Sequence, residues 1–345
     1  GALAGDEATD IRFSSLVLDA KGLLATTAEG DAARVESVRA AIEGDLRQSL
    51  LNESLEDQVL RIDRAEITIA GAELLGIEPV LDGLREVGWT GDIRDLTRLD
   101  DFHAELRHDR QGRELLLSGY RLATPLLTQS GDARIAYVGD PEDMEAWIRE
   151  VDFDLQSAIR ESPGAFALPA DTIDERILVD VPSVEMSLNG ATTFADDSME
   201  LDLERSTADV SFIIGEGAVA LPPSVMEELA WFIDDIDELV SAGALRLERF
   251  ALEGGLRDGG TIGLRELSLR APFAEFGLSG LARLVDDEVL PGSISLSGSV
   301  QRLPPSLREP LGGFATMLGA IIPTSGPFDF AIELDEHGEP FLVIE

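Results

Sequence analysis

The sequence of 345 residues contains no cysteine. That excludes disulfides, thiolate catalysis and cysteine-ligated metal in one step. Lysine is almost absent, with Lys21 the sole example, and no basic run occurs anywhere. Nucleic acid is held by lysine and arginine neutralising phosphates, so a nucleic-acid partner is excluded as a class. Histidine is scarce too: three residues, His103, His108 and His337. The five-residue interval between the first two suits neither one strand nor one helix face, so no metal site is expected from them. No apolar run reaches the roughly 20 residues that a membrane-spanning helix needs.

What is abundant is acid. Asp and Glu number 67 against 27 Lys and Arg, a formal charge of -40. Self-repulsion on that scale opposes compaction and is relieved by salt, the pattern of an acidic, halophilic type of adaptation. It also argues against direct binding to an anionic membrane surface. The acid clusters Asp196-Asp197, Asp234 to Glu238 and Asp286 to Glu288 lack the spacing of a calcium loop and read as solvated faces.

Two periodicities are present. Phe328, Phe330, Ile332 and Leu334 alternate with polar residues, as do Leu296, Gly298 and Val300, which predicts half-buried strands. Val184, Met186 and Leu188 predict a strand ending in a turn at Asn189-Gly190. The alternation changes phase between Ile62 and Ala65, between Leu264 and Leu267, and between Leu247 and Phe250. Each slip predicts a β-bulge, and bulged antiparallel strands predict curvature. Helical spacing occurs at Val35, Val38, Ile42, Leu46 and Leu50, at Leu74, Ile77, Leu81 and Leu84, and at Met144, Ile148, Val151 and Leu155 behind Asp140-Pro141.

Leu221-Pro222-Pro223-Ser224 recurs as Leu303-Pro304-Pro305-Ser306. Glu227 and Glu309 stand three residues beyond the serines, a capping-box spacing. The apolar stripes that follow match in phase, and residues 98–126 weakly echo 246–273. The expected fold class is therefore α+β: curved, bulged antiparallel β-meanders with short packing helices, internally repeated. The expected organisation is an N-terminal helix-plus-meander unit over 1–139, a connecting helix and strands over 140–220, and repeated helix-plus-meander units over 221–345, the alternative being one continuous elongated sheet.

No catalytic set emerges. There is no Gly-x-Ser-x-Gly elbow. Gly215-Glu216-Gly217-Ala218-Val219-Ala220 loosely matches a dinucleotide fingerprint, but Pro222-Pro223 delays the helix that such a site requires. The expectation is a non-enzyme with no catalytic, cofactor-binding or metal-ligating residues and no cofactor; a hydrolase of unknown type ranks last. The second Leu-Pro-Pro-Ser helix lacks the acid carried by the first. Leu311, Phe314, Met317, Leu318, Ile321 and Ile322 therefore form the candidate surface for an apolar ligand or partner.

The alternating runs at 328–334 and 294–300, the Leu-Pro-Pro-Ser helices and the Ala2-Leu3-Ala4 start together resemble bacterial periplasmic envelope proteins of the AsmA/TamB type. The resemblance is architectural and carries no functional residue across. It implies an extracytoplasmic, envelope-facing protein that binds a lipid or an envelope partner on a sheet. Ala2-Leu3-Ala4 itself has the small-x-small form that ends a secretory signal peptide. The alternative is a structural or assembly subunit of an envelope complex with no small-molecule ligand.

Overall fold

The computed structural model describes residues 10–27, 30–49, 59–75, 97–139, 147–159, 166–169, 176–180, 183–195, 200–231, 240–241, 244–257, 259–285, 288–290, 293–334 and 339–345. The expected α+β class is not met. Strands account for 74% of the structure and helices for 8%. The described chain forms two compact units.

The first unit is built on β1 (Asp10–Thr27), β2 (Gly30–Ser49), β3 (Val59–Leu74), β4 (Arg98–Asp109), β5 (Glu114–Ala123), β6 (Leu127–Val138) and most of β7 (Trp147–Ile159). They lie in sheet order β1 to β7, each beside its neighbour in sequence. The register makes the sheet two-faced. Ile42, Ala65, Leu106, Leu117 and Ala133 align across β2 to β6 on one side. One position along, Glu43 faces Arg64 and Arg64 faces Arg107 on the other.

The helix expected at 35–50 is strand β2. Its spacing of 3, 4 and 4 from Val35 to Leu46 is a strand period broken by irregularities. Gly71 has φ +62, and a Cβ there would meet the Glu36 carboxyl carbon at 2.4 Å. The left-handed φ is what favours glycine at that crossing, since the Glu36 side chain could swing aside. The bulge predicted between Ile62 and Ala65 is present, opposite Glu43 and Gly44. Residues 148–155, also expected to be helical, lie in β7. The stripe through Ile77, Leu81 and Leu84 lies outside the described residues.

The second unit carries β10 (Val184–Ala195), β11 (Glu200–Ile214), β15 (Arg249–Arg257), β16 (Thr261–Arg270), β17 (Glu275–Val285), β19 (Ser295–Arg302), β20 (Phe328–Leu334) and β21 (Pro340–Ile344), in that sheet order. The short β18 (Glu288–Val289) pairs with β17. A separate five-stranded sheet runs β13 (Val240–Ser241), β14 (Ala244–Leu247), β12 (Gly217–Ala220), β9 (Arg176–Asp180) and β8 (Phe166–Pro169). The Gly215–Gly217 pair marks where the chain leaves β11 for this small sheet. The phase change after Leu247 is where it returns from β14 to β15. That slip is therefore a change of sheet, whereas the slip at Leu264 to Leu267 is a true irregularity against β17. Asn189-Gly190, expected as a turn, sits inside β10 and pairs with Asp209 and Ala208.

Two helices are described, α1 (Pro223–Ala230) and α2 (Pro305–Met317). They occupy the two Leu-Pro-Pro-Ser positions but do not head equivalent units. The strand before α1, β12, belongs to the small sheet, whereas α2 joins β19 to its antiparallel neighbour β20. The capping box fails in α2. Its N-cap is Pro304, no side chain caps it, and the Ser306 hydroxyl is buried without a hydrogen-bond partner.

The core is thin. Among the described residues the buried apolar side chains are six alanines and Phe328, and no large side chain is fully enclosed. The apolar faces of the sheets are half-buried.

Candidate functional site

In the second unit the cross-strand pairs place apolar residues in rows that run strand to strand. One row passes Val184, Ile214, Phe250, Leu269, Phe276, Val300 and Phe328. The next passes Met186, Phe212, Leu252, Leu267, Leu278, Gly298, Phe330 and Ile344. Directly opposed residues share a face, so these rows form one apolar surface across eight strands. At about 4.8 Å per strand the surface is roughly 34 Å wide. Along it Met186, Val210, Leu252 and Ile262 remain exposed.

Helix α2 lies over the β17, β19, β20 and β21 end of this surface. Between helix and sheet is a cavity of about 310 Å³. Phe276, Val300, Phe328, Phe330, Ile332, Leu342 and Ile344 form its sheet wall, and Leu311, Phe314, Ala315, Leu318 and Ile322 its helix side. Arg302 is its one charged lining residue, and that guanidinium is already engaged by the Ala271 carbonyl at 2.8 Å and by Glu275. A cavity of this size with such walls suits an apolar chain.

Gly298 seats Phe330, one residue of the cavity's sheet wall. A Cβ there would meet Phe330 Cζ at 2.5 Å and the Gly277 carbonyl oxygen at 2.4 Å. The ring can occupy this place only because position 298 has no side chain.

The helix is anchored at its ends. Arg308 donates from Nε to the Leu303 carbonyl at 3.0 Å, and from its two Nη atoms to the Pro323 and Gly326 carbonyls, each at 2.6 Å. Its guanidinium also sits 5.8 Å from the centre of the Phe328 ring. The chain closes α2 at Gly319, φ +82, and the Leu342 amide donates to the Leu318 carbonyl at 3.3 Å.

Of the six residues expected to form an apolar surface, Leu311, Phe314, Leu318 and Ile322 line the cavity. Met317 and Ile321 point away from it, 76% and 84% exposed. Sequence alone does not single out the sheet wall, although its alternating residues at 328–334 carry the signal.

The opposite faces of the sheets hold charge in ordered ladders. In the first unit Arg64 contacts Glu43, Glu66 and Glu105, and Arg134 contacts Glu114, Glu150 and Asp152. In the second, Arg257 and Arg265 converge on Asp209, and Arg270 and Arg302 on Glu275. The Arg64 hydrogen bond holds the Glu105 carboxyl below its usual range, and the Ser268 hydroxyl, with Arg249, does the same for Glu266. Glu114 and then Asp152 raise Arg134 further above its ordinary value.

His103 pairs with the Thr68 hydroxyl at 3.1 Å and His108 with the Tyr137 hydroxyl. His337 and the acid pairs at 196–197, 234–238 and 286–287 lie outside the described residues. Among the described residues no group of three His, Asp or Glu side chains is arranged to hold a metal ion, and no described helix is long and apolar enough to cross a membrane. No family model, curated protein or solved structure matches the chain.

Proposed function

We propose that this protein is a non-enzymatic binder of an apolar chain, such as the acyl chain of a lipid, in an extracytoplasmic envelope compartment. The observation that carries the reading is the cavity under α2, because its walls are apolar and it opens onto an apolar sheet face that lacks a full cover among the described residues. Burying such a face is worth about 25 cal/mol per Å² of surface removed from water, so a bound chain would supply what the thin core does not. The compartment rests on the resemblance to AsmA/TamB-type envelope proteins.

The test is direct. The purified protein is extracted with organic solvent to identify co-purifying lipid, and titrated with a fluorescent fatty acid. Uptake is expected, and Val300→Phe, which fills the cavity from the sheet side, is expected to reduce it while the β spectrum is retained. Absence of both co-purifying lipid and uptake would overturn the reading.

A second reading is an assembly subunit of an envelope complex with no small-molecule ligand. Strand β1 favours it: Leu16, Val17 and Leu18 are more than half exposed on an edge strand, and such strands recruit partners. A stable complex in pull-downs, formed equally well by the Val300→Phe protein, is its mark.

A further inference from the structure

Helix α2 and the segment that follows it, residues 318–322, have two apolar sides. Leu318 and Ile322 face the cavity, while Met317 and Ile321 face solvent. Leu311 and Phe314 belong to both, lining the cavity yet 44% and 58% exposed. The apolar surface thus runs without a break from the cavity around the helix to the outside. An exposed apolar patch of this kind on a water-soluble surface marks an interaction site.

Charge identifies the partner. Between Glu309 and Asp329 the sequence has no charged residue, in a chain where 27% of residues are charged. The nearest cation, Arg308, spends its donors on the carbonyls of Leu303, Pro323 and Gly326. A protein partner attracted to this molecule would be expected to meet its acid with base, yet this segment offers neither acid nor base. An uncharged apolar surface surrounded by a strongly acidic molecule suits an interface that is itself apolar within and uncharged overall.

We propose that the outer face of α2, with the segment 318–322 that follows it, inserts into the surface of a lipid bilayer rich in zwitterionic lipid, and that a lipid chain passes from there into the cavity beneath. The inference rests on the cavity reading above and adds to it the source of the ligand. Phe314 and Met317 from the helix and Ile321 from the segment just beyond it enter the acyl region, as the apolar side chains of an interfacial element do. Arg308 and the Leu342 to Leu318 hydrogen bond keep the helix seated on the sheet while its outer face is immersed. Anionic lipid opposes the approach, because the net charge of -40 is repelled by it at low salt.

The experiment is flotation of the full chain with phosphatidylcholine vesicles, beside vesicles that also contain phosphatidylglycerol. Met317→Glu and Ile321→Glu are the variants, since both side chains lie outside the cavity and are not needed for its walls. The wild-type chain is expected to float with phosphatidylcholine. It is expected to float less with phosphatidylglycerol at low salt and to recover at about 1 M NaCl, where the Debye length is about 3 Å. Each variant is expected to lose about tenfold or more in partitioning, by withdrawing one large apolar side chain and adding a charge. Uptake of a soluble fluorescent fatty acid by the variants is expected to stay at the wild-type level. Wild-type protein that takes up fatty acid but fails to float at either salt overturns this proposal and leaves the cavity reading standing. Variants that float like wild type overturn it as well. So does a wild-type dimer that Met317→Glu converts to monomer without any change in flotation, because the patch would then serve a second copy of the chain.

Discussion

Arg64 on β3 donates from Nε to Glu105 on β4 at 2.7 Å. The bond crosses from one strand to the next on the charged face of the sheet, and Arg64 gathers Glu43 and Glu66 as well. Because Glu105 is held below the ordinary glutamate value of about 4.3, its folded form binds its proton less readily than its unfolded form. Its contribution to stability is therefore complete above that value and is lost as pH falls through the lower folded value. Glu105→Gln is expected to flatten the dependence of the unfolding midpoint on pH between about pH 5 and about pH 3. A variant with the same acid slope as the wild-type chain would show that the pair does not couple to folding.

The charge of -40 leads to a second expectation. Arginines bridge carboxylates on neighbouring strands, but there are too few of them to neutralise the acid. The unfolding midpoint is expected to rise from low salt to about 1 M NaCl as repulsion is screened. A midpoint that does not move would mean that the ladders already balance the field.

Ser306 separates two accounts of α2. A serine that caps a helix costs about 0.5–2 kcal/mol when replaced by alanine. In the structure Ser306 lies inside the helix, with a buried hydroxyl that has no partner. Ser306→Ala is therefore expected to be neutral or to stabilise by up to about 1 kcal/mol. Loss of stability in chemical denaturation would restore the capping account.

Gly298→Ala tests the seat of Phe330. The added carbon falls within 2.5 Å of both the ring and a backbone oxygen, and backbone cannot swing aside as a side chain can. A cost of about 1–3 kcal/mol is expected, the range for overpacking. Fatty-acid uptake is expected to change with it, because the displaced ring lines the cavity.

The strands at 328–334 and 340–344 and the irregularities near Ile62 and Leu264 were legible in the sequence, because each carries its own alternation. Residues 35–50 were not. Val35, Val38 and Ile42 fit a helical spacing as well as a bulged strand, and the partners that decide, Ala72, Ile69 and Ala65, lie more than twenty residues away. Ile148, Val151 and Leu155 misled for the same reason. The Leu-Pro-Pro-Ser pair correctly located two helices, but local spacing has no bearing on which strands flank them. At the site, the missing acid pointed to α2. The wall opposite it could not be assembled from one segment, because Phe276, Val300, Phe330 and Leu342 come from four strands.

In the first unit β1 to β7 lie side by side in the order of the chain. Its ladders therefore close over short stretches of chain, and a hairpin can pair while the residues beyond it are still being made. The same order makes the length of the sheet adjustable. One more hairpin at its edge would extend both the apolar and the charged face and leave every existing register in place, so that the reach of the surface could change in evolution without redesign of the parts already built.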